Sequence, residues 1–169
     1  MLRIFRRIIS AFVTVPRAKD WLQAVKLILA FAVLYLPIGV TSGFLKIEVQ
    51  TSWQTITSVI AGTFLMPTLL EELSFRVLLL PHPTELSTSK RWVSSLLSWL
   101  GFMAYHLHPF TPLFFREPAF LVGAGAIGII CTISYLESGS VWISATIHWL
   151  IVAVWLLLFG GLEKFNSYT

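Results

Sequence analysis

A chain of 169 residues is long enough for one domain with a sizeable core, but 56% of these residues are hydrophobic and only 12% are charged, about half the charged fraction of an ordinary soluble domain. Together with a mean hydropathy of +0.80, this balance excludes a disordered chain, a nucleic-acid-binding domain and a typical soluble enzyme, each of which needs more polar surface. The net charge of +4 is also concentrated: residues 1–26 hold six basic side chains and one acid, whereas residues 27–169 hold six and seven. A basic tail with no second basic stripe suits an anionic lipid surface and not a phosphate backbone. What remains is a polytopic membrane protein.

At the start of the chain, Leu2, Phe5, Ile8 or Ile9, and Phe12 recur at helical spacing opposite Arg3, Arg6 and Arg7, the pattern of an amphipathic helix lying in the membrane interface. A secretory signal is the competing reading. Its apolar run would be short, would lack a small-residue cleavage site and would be followed by Arg17 and Lys19, all of which oppose it.

Five apolar segments follow. Residues 27–45 are uncharged for 19 positions and residues 49–70 for 22. The second segment continues past Glu71, Glu72 and Arg76 to about Leu80, and Pro67 predicts a kink within it. Segments 92–107, 119–136 and 141–162 contribute 16, 18 and 22 residues; a span needs about 20, so the shorter two rely on the bundle around them. The expectation is an all-α, multi-pass membrane helix bundle of about five transmembrane helices, with residues 1–20 as an interfacial amphipathic segment and 21–165 as the bundle. Setting the N-terminus in the cytoplasm leaves eight Lys or Arg residues on inner loops and three on outer ones, the asymmetry the positive-inside rule favours.

Glu71, Glu72 and Arg76 are the strongest anomaly, because ionisable residues inside a membrane are costly and mark function by default. Glu72 and Arg76 stand four apart and can pair on one helix face, which leaves Glu71 as the free carboxylate. A purely structural ion-pair cluster, or a helix that ends at Leu70 and puts these residues in water, is the alternative. His106 and His148 lie in two further apolar segments. At about 1.5 Å per residue from the cytoplasmic face, Glu71 is about 15 Å deep, His106 about 21 Å and His148 about 10 Å. Three helices thus bring a carboxylate and two imidazoles towards the membrane centre, and such groups around one water form a credible general-base arrangement.

These residues resemble a known family. Glu71-Glu72-Leu-Ser-Phe-Arg76 is similar to the EExxxR motif, Phe102-Met-Ala-Tyr-His106 to the FxxxH motif, and His148-Trp-Leu-Ile-Val152 to the HxxxN-type motif of the CAAX prenyl protease and bacteriocin-processing (Abi) family. The resemblance covers roughly Glu71 to Val152, within a core of about 64–155. It implies a metal-independent intramembrane endopeptidase of the glutamic type, needing no cofactor and acting on a peptide or membrane-associated protein. By the same resemblance Glu71 activates a water, His106 helps to hold that water, and His148 stabilises the oxyanion. Glu72, Arg76 and Phe102 support the site. Val152 stands where the family usually has an Asn that shares the oxyanion, and it can donate nothing. A non-catalytic adaptor or immunity protein of the same family is the alternative.

Other signals carry less. Gly123, Gly125 and Gly128 match GxGxxG literally, but no strand precedes them, and close helix packing explains them better. Ser144 and His148 lack an orienting partner for a serine nucleophile, and Cys131 sits among apolar residues, which disfavours a thiolate. A metal held by Glu71, His106 and His148 is a further alternative, although no HExxH supports it. His82 and His108, in Pro-containing loops, are expected to be solvated or interfacial.

Overall fold

The computed structural model describes residues 2–83 and 88–167, with the side chains of Leu2, Arg3, Thr88, Ser89 and Lys90 outside what is described. Among the described residues the chain is helical throughout. The elements are α1 (Leu2–Val13), α2 (Ala18–Thr41), a kinked α3 (Trp53–Val77), α4 (Thr88–His106), α5 (Pro118–Ser138), α6 (Val141–Leu158) and a short α7 (Gly161–Asn166). Helices α2, α3, α5 and α6 are each long and apolar enough to cross a membrane. The 19-residue α4 runs beside them as the fifth, less apolar because it opens on Thr88, Ser89, Lys90 and Arg91. Large apolar side chains such as Val33, Leu34, Leu96 and Leu97 are exposed on the outer faces of α2 and α4. Apolar surface on that scale belongs in lipid. The chain is an integral membrane protein.

Helix α1 divides its apolar residues between two surroundings. Ala11 is fully buried, and Ile8 and Phe12 pack with it against Val77, Leu80 and Val141. The Trp142 indole N–H also donates to the Phe12 carbonyl at 2.9 Å. Ile4, Phe5, Ile9 and Val13 stay exposed on the other side, so one helix both docks on the bundle and keeps an apolar edge outside it.

Segment limits read from charge alone need correction at two places. Helix α2 begins at Ala18, well before the uncharged run at 27, because Arg17 and Asp20 close its first turn: the Arg17 backbone N–H donates to the Asp20 carboxylate at 2.8 Å. A capped polar turn thus extends the helix beyond its apolar stretch. At the other end, α6 stops at Leu158 and not at 162, since Gly160 takes a left-handed conformation (φ 74°) that only glycine adopts cheaply. The carbonyls left open there are met by the extended loop before α3. Glu48 N–H donates to Leu158 O at 3.0 Å and Gln50 N–H to Leu157 O at 2.8 Å, so the helix end is satisfied from a distant part of the chain.

The kink expected near Pro67 is present. Met66 leaves helical geometry (φ −141°, ψ 120°), the Met66–Pro67 peptide is cis, and π-helical turns flank the short α-helical stretch that carries Glu71 and Glu72. Packing around α5 explains its small residues. A Cβ built on Gly123 would lie 2.7 Å from Cζ of Tyr35, whose hydroxyl donates to Ala119 O at 3.0 Å. Gly123→Ala is therefore expected to cost about 1–3 kcal/mol through overpacking, read as a fall in the thermal midpoint in detergent. Gly125→Ala, with its nearest neighbour at 3.5 Å, should be close to neutral in the same measurement. His82 departs from expectation: it is only 8% exposed, packed against the turn at Gly139. His108 is exposed, as expected.

Candidate active site

The site is assembled from three helices. Helix α3 brings Glu71, Glu72 and Arg76 just beyond the kink, α4 brings Phe102 and His106 one turn apart at its end, and α6 brings His148 and Val152 one turn apart in its middle. Each of these pairs is spaced by four residues, so each presents both members to the same side of its helix. Glu71, Glu72, Arg76, His106 and His148 are all buried.

Within the cluster the contacts are ordered. Arg76 Nε lies 3.4 Å from Glu72 Oε2, and both side chains are fully inaccessible. The Arg76 guanidinium also donates to the Gly128 carbonyl at 3.3 Å and stacks 4.7 Å from the Phe102 ring centre, so its charge is met by a carboxylate, a carbonyl and an aromatic face. His148 Nδ1 sits 2.9 Å from Glu72 Oε1. Its other nitrogen, Nε2, is 3.7 Å from Glu71 Oε2. Glu71 is thus not isolated: His148 stands between the two carboxylates, anchored by one and facing the other. Glu71 Oε2 itself has no hydrogen-bond partner among the described residues.

His106 is fixed differently. Its Nδ1 lies 2.8 Å from the Phe102 carbonyl, which can only accept, so Nδ1 carries the hydrogen and Nε2 of the neutral ring holds a lone pair. The Phe102 ring touches both histidines, 4.5 Å from His106 and 5.9 Å from His148 between ring centres. It therefore acts as the spacer that sets the two imidazoles apart.

A cavity of about 590 Å³ opens beside these residues, lined by Glu71, Phe102, His106, His148 and Val152 and walled mainly by aromatic and aliphatic side chains. The size and the few convergent polar groups are those of a small-ligand or peptide site. Val152 brings a methyl surface where a donor would sit. Arg76 and Glu72 lie behind the lining, reaching the cavity only through His148 and Phe102. Tyr35, Tyr105 and Trp155 also line it. No motif pointed to them, since aromatic residues in apolar helices look alike in sequence.

The discounted residues adjoin the cluster without taking the roles a serine or cysteine nucleophile needs. Ser144 Oγ donates to the Val141 carbonyl at 3.2 Å, and His148 is held by Glu72 instead. Cys131 is fully buried with its thiol towards the Ser144 carbonyl. Among the described residues, the grouping that could offer three metal-ligating atoms is Glu72, Cys131 and His148, within 4.8 Å of one another, and not Glu71, His106 and His148. A divalent cation there would face the guanidinium already paired with Glu72, a poor electrostatic fit.

A family model described as Type II CAAX prenyl endopeptidase Rce1-like matches residues 52–154, a stretch that contains Glu71, Glu72, Arg76, Phe102, His106, His148 and Val152. No curated protein and no solved structure matches the chain.

Proposed function

The chain belongs to the type II CAAX prenyl endopeptidase Rce1-like family, and from that membership we propose that it is a metal-independent glutamic endopeptidase cleaving a peptide or a membrane-associated protein tail within the bilayer. The observation that carries the reading is the juxtaposition at one cavity wall of an unpaired Glu71 oxygen, the His148 Nε2 facing it at 3.7 Å, and His106. Glu71 takes a proton from water as that water attacks the scissile carbonyl. The free lone pair on His106 Nε2 accepts the water's other hydrogen and aims it. Glu71 then returns its proton to the leaving nitrogen, so one carboxylate serves as base and acid in turn.

Glu72 and Arg76 are positioning residues in this scheme. Glu72 accepts from His148 Nδ1–H and so turns Nε2 towards the cavity, while Arg76 holds Glu72 in place. The cytoplasmic N-terminus and the interfacial role of residues 1–20 complete the reading, with the N-terminal basic side chains on the inner leaflet surface.

Val152 favours the second reading, a non-catalytic adaptor or immunity protein that keeps the cluster as interhelical glue. Cleavage of a diverse peptide and prenyl-peptide library by the protein in nanodiscs, with a chelator present, separates the two. The protease reading expects chelator-resistant cleavage, raised by Val152→Asn by up to about 10²-fold in kcat, the lower end of what one oxyanion donor is worth. A folded chain that cleaves nothing, as wild type or as Val152→Asn, would leave the adaptor.

A further inference from the structure

With valine at position 152, the negative oxygen that forms when water adds to the carbonyl lacks one of the two donors, His148 and an Asn, that the family resemblance implies. Most side-chain donors that line the cavity are already engaged. Tyr35 donates its hydroxyl to Ala119 O, Thr63 to Val59 O, and Thr111 to His106 O and His108 O. His106 commits its Nδ1–H to Phe102 O. The Trp155 indole N–H is buried and without a partner among the described residues, but seven residues separate it from His148 on α6, about 10.5 Å along the helix. It is out of reach of the same carbonyl. The remaining side-chain hydroxyl is that of Tyr105, which lines the cavity and makes no hydrogen bond among the described residues.

Tyr105 is also well placed. It precedes His106 on α4, and its ring packs against His106 at 5.4 Å and Phe75 at 5.8 Å between ring centres. The residue is 46% exposed, but two ring contacts restrain its phenol, and a restrained donor is what a developing oxyanion requires.

We propose that Tyr105 is a further catalytic residue, whose hydroxyl donates to the oxyanion in place of the missing amide at position 152. The inference rests on the glutamic endopeptidase reading above. In the step concerned, the water oxygen bonds to the carbonyl carbon, Glu71 takes the water proton, and the carbonyl π pair moves onto oxygen. Tyr105 donates a hydrogen bond to that oxygen and keeps its proton. When the carbonyl re-forms, the C–N bond breaks and Glu71 delivers the proton to nitrogen, so one water yields one carboxyl and one amine.

The test compares wild type, Tyr105→Phe, Tyr105→Phe/Val152→Asn and Glu71→Gln in nanodiscs on the best-cleaved library peptide. Phenylalanine keeps the ring contacts, and unchanged circular dichroism and thermal midpoint verify the fold. Expected are a 10²- to 10³-fold fall in kcat for Tyr105→Phe with KM little changed, and recovery of at least about tenfold when Val152→Asn supplies a donor from α6. Wild-type kcat in Tyr105→Phe would overturn the role of Tyr105 and leave the glutamic reading standing. A fall that Val152→Asn does not recover would reduce Tyr105 to a packing role. Full activity in Glu71→Gln would overturn the glutamic reading and this inference with it.

Discussion

Replacement of Glu71 by Gln is expected to lower kcat by about 10³- to 10⁴-fold, the upper part of the range for a general base, while the bundle stays folded. The amide is isosteric and keeps a polar atom near His148 Nε2, 3.7 Å away in the wild type, so no cavity opens and no new charge is buried. What disappears is the ability to take a proton from water. Glu72 cannot substitute, because it is fully inaccessible and already engaged with Arg76 and His148. The measurement is single-turnover cleavage of the library peptide by Glu71→Gln and Glu72→Gln side by side. Glu72→Gln should keep residual turnover but lose thermal stability, since it removes the charge that Arg76 needs. The reverse pattern, with a silent Glu71→Gln and a dead but stable Glu72→Gln, would exchange the two roles.

The distribution of these roles shows what can be read from one chain. Helix number and order follow from hydropathy, because a span in lipid must be long, apolar and internally hydrogen-bonded. The start of α2 at Ala18 and the end of α6 at Leu158 do not follow from it, since caps and a left-handed glycine decide them. At the site, EExxxR and FxxxH mark Glu71, Arg76 and His106 by spacing along single helices. The bond between His148 and Glu72 joins residues 76 positions apart, and nothing local to either position specifies it. Tyr105 is hidden for a related reason. Its significance lies in a hydroxyl left without a partner while Tyr35, Thr63 and Thr111 have theirs, and that comparison exists only in three dimensions.

Arg76→Met is expected to be the most destabilising substitution in the chain, by about 3–5 kcal/mol, the cost of removing one partner of a buried ion pair. Ordinary hydrogen bonds between membrane helices average only about 0.6 kcal/mol, so the magnitude distinguishes two physical situations. If Glu72 is ionised, methionine leaves its charge at a fully inaccessible position with only His148 to meet it, and it also removes the donor to Gly128 O that ties α3 to α5. The readout is the unfolding midpoint in detergent, followed by helical circular dichroism. Adding Glu72→Gln to Arg76→Met should recover a large part of the loss, because the unmatched charge goes while the packing against Phe102 changes little. A loss below about 1 kcal/mol for Arg76→Met alone, on the scale of a single interhelical hydrogen bond, would mean that Glu72 is neutral. His148 would then lack the charged anchor on which its orientation in the proposed mechanism depends.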